Sequence, residues 1–315
     1  MPAICMHLLF CDNFLNPREP DEVYAAEFAA ARACGFSCGL ISFESLTDGE
    51  GGFARRGGPG EGQRVLGWYR GWMLRGEQYR RLFAVMAERG IDLVVTPEAY
   101  AQAHYLPEAL PLIAEESPAT VWMEGTNMEQ AWKITRPLAG EAMILKDFVK
   151  SAKHKWDEAC FIPADAEREK FESVVSAFVR IRGESLNRGL VFREFVDLMP
   201  VGRDVISRRT VFEEYRLFFW QGKLLRAGAH DDGAGVWNEF SRWEEYARRF
   251  ASPFITIDVA RRADGRWMIV EAGDAGVSGL PATMEPSDYY AEFLNRRGLG
   301  QVFAGRTAAL TRLSD

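Results

Sequence analysis

The chain has 315 residues, a formal net charge of −7, and apolar and charged fractions of 47% and 26%, an ordinary globular composition with length enough for two or three lobes sharing good cores. The acidic balance argues against a nucleic-acid partner, whose binding needs a basic surface, and no apolar run approaches membrane-spanning length. The five cysteines form neither a CxxC pair nor a zinc-finger spacing, and the N-terminus lacks the features of a signal peptide, so the expected setting is a reducing cytoplasm.

In chain order, Ala3 to Phe10 is a short apolar run, Pro20-Asp21 starts a helix carrying Tyr24, Ala25 and Phe28 to Gly35, and Phe36 to Phe43 reads as the next strand. Strand, helix, strand predicts an α/β lobe with a parallel sheet. Asp48 to Gln63 is glycine-rich and charged, predicting a surface loop; it lacks the Gly-Lys-Ser/Thr ending of a phosphate loop. Val65 to Arg70 reads as strand, Tyr79, Leu82, Phe83 and Met86 as one helical face before Gly90, and Ile91 to Thr96 as strand. Arg70 therefore stands at the carboxyl end of a strand, where open α/β sheets place ligand-binding groups, although a surface arginine fits the pattern equally.

The pattern changes near Val121 to Lys133. Met143 to Lys150 predicts a strand with Ile144, Lys146, Phe148 and Lys150 on one face, the two lysines about 13 Å apart unless the strand bends. A lysine on an apolar face snorkels to solvent or meets an anion. Ser151 to Lys155 continues the cationic run, Glu167 to Ile181 is an amphipathic helix, and Gly189 to Leu198 is a strand leading out of this small α+β unit. Val211 to Leu225 predicts a hairpin about Gln221-Gly222 with Glu214, Arg216 and Phe218 on one face. Ala227 to Asn238 is a glycine-rich loop containing His230, and a helix spans Arg242 to Phe250.

The most informative stretch is Phe254 to Pro281. It reads as two strands joined at Asp264-Gly265, a pair that favours a tight type I′ turn. A two-residue loop pairs Ala263 with Arg266 and sets Asp258 opposite Glu271, with Ile255, Ile257 and Val259 meeting Met268, Val270 and Ala272 on the other face. Like charges opposed across strands are destabilising, so a hard divalent cation between them, Mg²⁺ brought in with a phosphate-bearing substrate, is the simplest resolution, with Asp274 as a third oxygen ligand. A solvated edge hairpin with two unconnected acids remains the alternative, and a bulged loop would shift the register by one and remove the pairing.

The order of Lys146, Glu194 and the Asp258/Glu271 hairpin resembles the ATP-grasp superfamily. The likeness is closest to a clade of predicted amide ligases marked by an arginine and two lysines. It is carried by Tyr69-Arg70-Gly71, Leu145 to Ser151, Arg193 to Val196, Glu214-Tyr215-Arg216, and Glu271 to Asp274 with Ser278 to Pro281. The resemblance implies an α/β pre-ATP-grasp lobe over residues 1–125, then two α+β lobes over 126–198 and 199–315 that enclose a nucleotide cleft. It implies ATP and Mg²⁺ as cofactors, with Lys146 and Lys150 at the phosphates, Glu194 at the adenine with the backbone of Phe195 and Val196 lining the ring, and Asp258, Glu271 and Asp274 at the metal. Many members carry asparagine where this chain has Gly273. Arg216 and Arg70 are then the guanidinium groups for an acyl phosphate or a substrate carboxylate, and the glycine-rich stretches near Gly51 and Gly233 are candidate lids. The implied activity is ATP-dependent carboxylate–amine ligation through an acyl phosphate, on small-molecule or peptide substrates, with phosphotransfer or non-catalytic nucleotide binding as the rivals.

Overall fold

The computed structural model describes residues 6–48, 55–56, 64–203, 210–230 and 239–295. The candidate lids near Gly51 and Gly233 lie outside these residues, as does the chain after 295.

The first sheet comprises β1 (Met6–Cys11), β2 (Ser37–Ile41), β3 (Arg55–Arg56), β4 (Val65–Arg70) and β5 (Ile91–Leu93), in the order β3-β2-β1-β4-β5. β1, β2, β4 and β5 are parallel and β3 is an antiparallel edge, which matches the expected α/β lobe. Its helices are α1 (Ala25–Ala33), α2 (Phe43–Thr47) and α3 (Gly76–Glu88). The predicted strand through Phe43 ends at Ile41 because Ser42 caps α2 by accepting from Ser45 N–H. Likewise Thr96 caps α4 (Pro97–His104), with Pro97 at its first position, so the strand from Ile91 ends early. α5 (Leu106–Ile113) follows, and Ala103, Ala109 and Ile113 pack against the third lobe rather than the first.

The second sheet has the order β6-β9-β7-β8, from β6 (Thr120–Glu124), β7 (Met143–Asp147), β8 (Phe161–Ile162) and β9 (Gly189–Glu194). β6 pairs with β9, so the small lobe begins ahead of the expected residue 126. α6 (Met128–Ile134), α7 (Trp156–Ala159) and α8 (Arg168–Arg182) complete it. The amphipathic pattern of α8 is realised: Phe171, Val174, Val175 and Phe178 pack with Leu145, Leu190 and Phe192. The other face of this sheet carries Lys146 and Arg193 toward the third lobe.

After a short hairpin, β10 (Pro200–Arg203) with β11 (Thr210–Phe212), comes the third sheet, in the order β13-β12-β14-β15. Its strands are β12 (Glu214–Trp220), β13 (Lys223–Ala229), β14 (Phe254–Arg261) and β15 (Trp267–Asp274). One face buries Tyr215, Leu217, Phe219, Ile255, Ile257, Val259 and Ile269 against Trp243, Tyr246 and Phe250 of the segment containing α9 (Glu244–Ala247). α10 (Pro286–Asn295) returns to the first lobe, where Tyr290 meets Phe36 edge-on and Phe293 stacks on Trp68. The core of the first lobe thereby runs on through Phe218, Trp220 and Phe254 of the third.

Candidate active site

The charged face of the third sheet is set by register. Arg216 lies opposite Asp258 across β12 and β14, and Asp258 opposite Glu271 across β14 and β15. The Asp258–Glu271 pairing arises differently from the simple hairpin. Arg262 N–H donates to the Arg266 carbonyl, so Ala263, Asp264 and Gly265 form a three-residue loop with Gly265 at φ +88°. That loop shifts the ladder by one, aligning Val259 with Ile269, and a bulge at Val270 restores the pairing from Asp258 onward. Ile269 therefore takes the place expected of Val270 in the apolar layer. The carbonyls of Ile269 and Val270 accept from the Arg193 guanidinium, reaching across from β9. Burial pulls the Arg193 pKa down to about 10, partly offset by Glu271.

Asp258 is buried and accepts two hydrogen bonds from Arg216, Nε to Oδ1 at 2.8 Å and Nη2 to Oδ2 at 2.7 Å. Burial alone would raise its pKa, but Arg216 and His230 hold the carboxyl down at about 2. Glu271 is more open, and its Oε2 lies 3.6 Å from Lys146 Nζ, which arrives from β7 of the other lobe. Two hard carboxylates facing a lysine suit a divalent cation and a phosphate, and the second lone pair on each Asp258 oxygen remains for a metal.

Lys150 does not continue the strand. β7 ends at Asp147, whose Oδ1 accepts from the N–H groups of Val149 and Lys150, while Asp147 N–H donates to the Lys150 carbonyl. This turn brings Lys150 back beside Lys146 instead of about 13 Å further along. Burial lowers the Lys150 pKa, with Lys146 and Arg182 adding to the effect and Glu271 opposing it. Beneath the lysines, His104 is held neutral, its pKa lowered to about 4 by burial and then by Lys150.

At the far end of β9, Glu194 Oε2 accepts from Ala119 N–H at 3.2 Å. The Phe195 N–H donates to the Ala142 carbonyl at 2.7 Å, and its ring meets Phe161 and Trp156 edge-on. Val196 follows, half-buried. Three positions along the ladder separate Glu194 from Lys146, about 10 Å at strand rise.

Arg70 and Asp274 require correction. Arg70 stands at the carboxyl end of β4, but it has no exposed surface. Its guanidinium clasps Glu27 of α1, Nη2 to Oε1 at 2.6 Å and Nε to Oε2 at 2.8 Å, and also donates to the carbonyls of Ala275, Gly276 and Ser278. The protein's own backbone fills the place where a substrate would meet it. Asp274 aligns with Ile255 on the face away from Asp258, and its Oδ1 accepts from Gly276 N–H at 2.8 Å. Burial raises its pKa to about 7, and its Oδ2 is buried without a hydrogen-bond partner. At Gly273, an added Cβ would lie 3.1 Å from Thr256 Oγ1 and 3.2 Å from Ser278 Oγ, two hydroxyls bonded to each other at 2.8 Å. They occupy the space an asparagine would need.

Sequence reasoning missed His230 as a site residue. The Gln221-Gly222 turn has positive φ at both residues, as type I′ requires, and a bulge at Leu225 then aligns Tyr215 with Ala229. His230 N–H donates to the Glu214 carbonyl, placing the imidazole beside Glu214 and Asp258. The turn was legible and the bulge was not.

A mixed α+β lobe and a second sheet that face one another through Lys146, Asp258 and Glu271, behind an α/β lobe, define an ATP-grasp protein. A family profile described as an ATP-grasp domain, the third family of a clade named for one arginine and two lysines, matches residues 138–293, and the chain belongs to the ATP-grasp superfamily. Among solved structures, the chain is similar to a RimK-domain ATP-grasp protein from Sphaerobacter thermophilus, at TM-score 0.59 and 13% identity over 92% of this chain and 98% of that one. D-cycloserine synthetase DcsG matches at TM-score 0.56 and 14% identity over 92% and 99%. Macrocyclase MdnC bound with precursor peptide MdnA, from Microcystis aeruginosa, matches at TM-score 0.55 and 12% identity over 92% and 99%. At these identities the likeness is one of fold. No curated protein matches by sequence.

Proposed function

We propose that this protein is an ATP-dependent carboxylate–amine ligase, ADP-forming, acting on an amino acid or peptide. The observation that carries the reading is the opposition of Asp258 and Glu271 on one lobe to Lys146 on the other, with Lys146 Nζ 3.6 Å from Glu271. The fold neighbours include a synthetase and a macrocyclase seen with its precursor peptide, which supports substrates of this class. ATP and Mg²⁺ are general to the family. Glu194 and Lys146 lie at a separation that suits adenine at one end of β9 and phosphates at the other. Asp258 and Glu271 would hold Mg²⁺, which supplies charge neutralisation on the phosphates when bound. Lys146 and Lys150 would hold phosphate oxygens, and Arg216, exposed at its far edge, would orient the substrate carboxylate. One carboxylate oxygen attacks the γ-phosphorus as the bond to ADP breaks. The amine then adds to the acyl carbon, phosphate leaves with the bonding pair, and the amine loses a proton, giving an amide.

ADP release tests this directly, using wild type and Asp258→Asn with Mg-ATP, pooled amino acids and peptides, and hydroxylamine as surrogate amine. Carboxylate-dependent release with hydroxamate formation is expected from wild type, reduced at least about 10²-fold in the variant. A stable phosphorylated product would replace the ligase with a phosphotransferase, and ATP binding without ADP under every condition would leave a nucleotide-binding module.

A further inference from the structure

We propose that Glu214, His230 and Asp258 form a second divalent-cation site, of mixed nitrogen and oxygen character, which takes a first-row transition-metal ion in preference to Mg²⁺. His230 Nε2 lies 3.4 Å from Asp258 Oδ2 and 3.7 Å from Glu214 Oε1. It is buried and makes no well-formed hydrogen bond to either. One donor atom from each of the three residues lies within 4.8 Å of the other two. Donors bound to one ion at about 2.0–2.2 Å stand about 3.0–3.6 Å from one another, so the three are spaced as ligands around a small cation with little closing movement. The ladder builds this placement: His230 N–H donates to the Glu214 carbonyl at 3.0 Å, and β14 brings Asp258 beside β12.

Charge favours occupancy. The two carboxylates outweigh the Arg216 guanidinium by one, and Arg216 uses one lone pair on each Asp258 oxygen, leaving the others free. The imidazole sets the preference, because Mg²⁺ demands oxygen ligands in a strict octahedron whereas imidazole nitrogen suits later divalent metals. The site deepens the ligase reading by giving Asp258 an ion on each side, Glu271 marking one and His230 the other. The experiment needs neither nucleotide nor turnover, so its failure is distinct from failure of the ligase assay.

Mn²⁺ is titrated into the full chain, free of tag and nucleotide, and followed by electron paramagnetic resonance, with spin-echo envelope modulation reporting coordinated nitrogen. The chain has four histidines. Of the other three, His7 and His104 are buried in the first lobe and its helices, and His154 is exposed in the small lobe, so His230→Ala and His230→Gln attribute the signal. Imidazole modulation is expected in wild type and lost in both variants, with Mn²⁺ affinity falling at least about tenfold and Mg²⁺ affinity, measured by competition, changing less. Wild type without nitrogen modulation, or modulation that survives both substitutions, would overturn the site. So would equal losses for the two ions.

Discussion

Asp258 and Asp274 sit on neighbouring strands, sixteen residues apart in sequence, and their environments drive them in opposite directions. Arg216 and His230 keep Asp258 ionised despite its burial. Asp274 has only backbone N–H donors and a distant Arg70 to offset desolvation, and its pKa rises to about 7. The folded state therefore binds the Asp274 proton more tightly than the unfolded state, whose carboxyl titrates near its ordinary 3.8. Stability from this group is complete at the acidic end, falls as pH rises through about 4 to 7, and is level above, with a slope of up to about 1.4 kcal/mol per pH unit. Asp274→Asn keeps the shape and removes the titration. Denaturant unfolding at pH 5, 6, 7 and 8 should show wild type losing ground to the variant up to pH 7 and holding a constant difference beyond; a pH-independent difference would place the charge elsewhere.

At the scale of the element, β15 owes its usefulness to irregularity. Without the Val270 bulge, the three-residue hairpin loop would carry Glu271 out of line with Asp258 and turn its side chain to the other face. Arg193 supplies the donors that the bulged carbonyls accept, so the small lobe helps maintain the register of the third. Gly273 lies two residues beyond Glu271 and is confined by Thr256 and Ser278. Gly273→Asn, which introduces the side chain many ATP-grasp proteins carry there, should cost about 1–3 kcal/mol through overpacking. Ser278→Ala in the same chain removes the obstacle on one side and should recover part of that loss. A double-mutant cycle by thermal or denaturant unfolding measures the coupling, and additive effects would rule out the clash.

On the scale of the whole molecule, the first and third lobes share one continuous core while the small lobe has its own. The Arg70–Glu27 clasp belongs to the shared body, with Tyr290 Oη also donating to Glu27 at 3.0 Å. Glu27→Ala strands a buried guanidinium and should cost about 3–5 kcal/mol. Hydrogen exchange should show the loss in β1, β4 and β14, with β7 and β9 of the small lobe retaining protection. Uniform loss across all three sheets would mean that the molecule unfolds as a single unit. Among the described residues no helix is long and apolar enough to cross a membrane.

The amino-acid sequence by itself determined the local elements and their succession. The apolar periodicity of Phe171 to Phe178 and the type I′ chemistry of Gln221-Gly222 act over a few residues, as does the alternation of Ile255, Ile257 and Val259, and all three appear in the fold as read. The pairing of Asp258 with Glu271 was also legible, although the two-residue loop used to derive it is absent and two irregularities cancel to produce the same register. Tertiary structure alone decided which charged groups meet. Arg70 has the chemistry of a substrate-binding residue and stands at the right end of its strand, yet Glu27 and the carbonyls of residues 275–278 converge on it from remote parts of the chain. Lys150 reached Lys146 through an aspartate turn, and His230 reached Asp258 through a bulge. Such encounters depend on one-residue shifts in register and on lobe packing, and the free energies behind these are sums over many distant contacts that no short stretch of sequence displays.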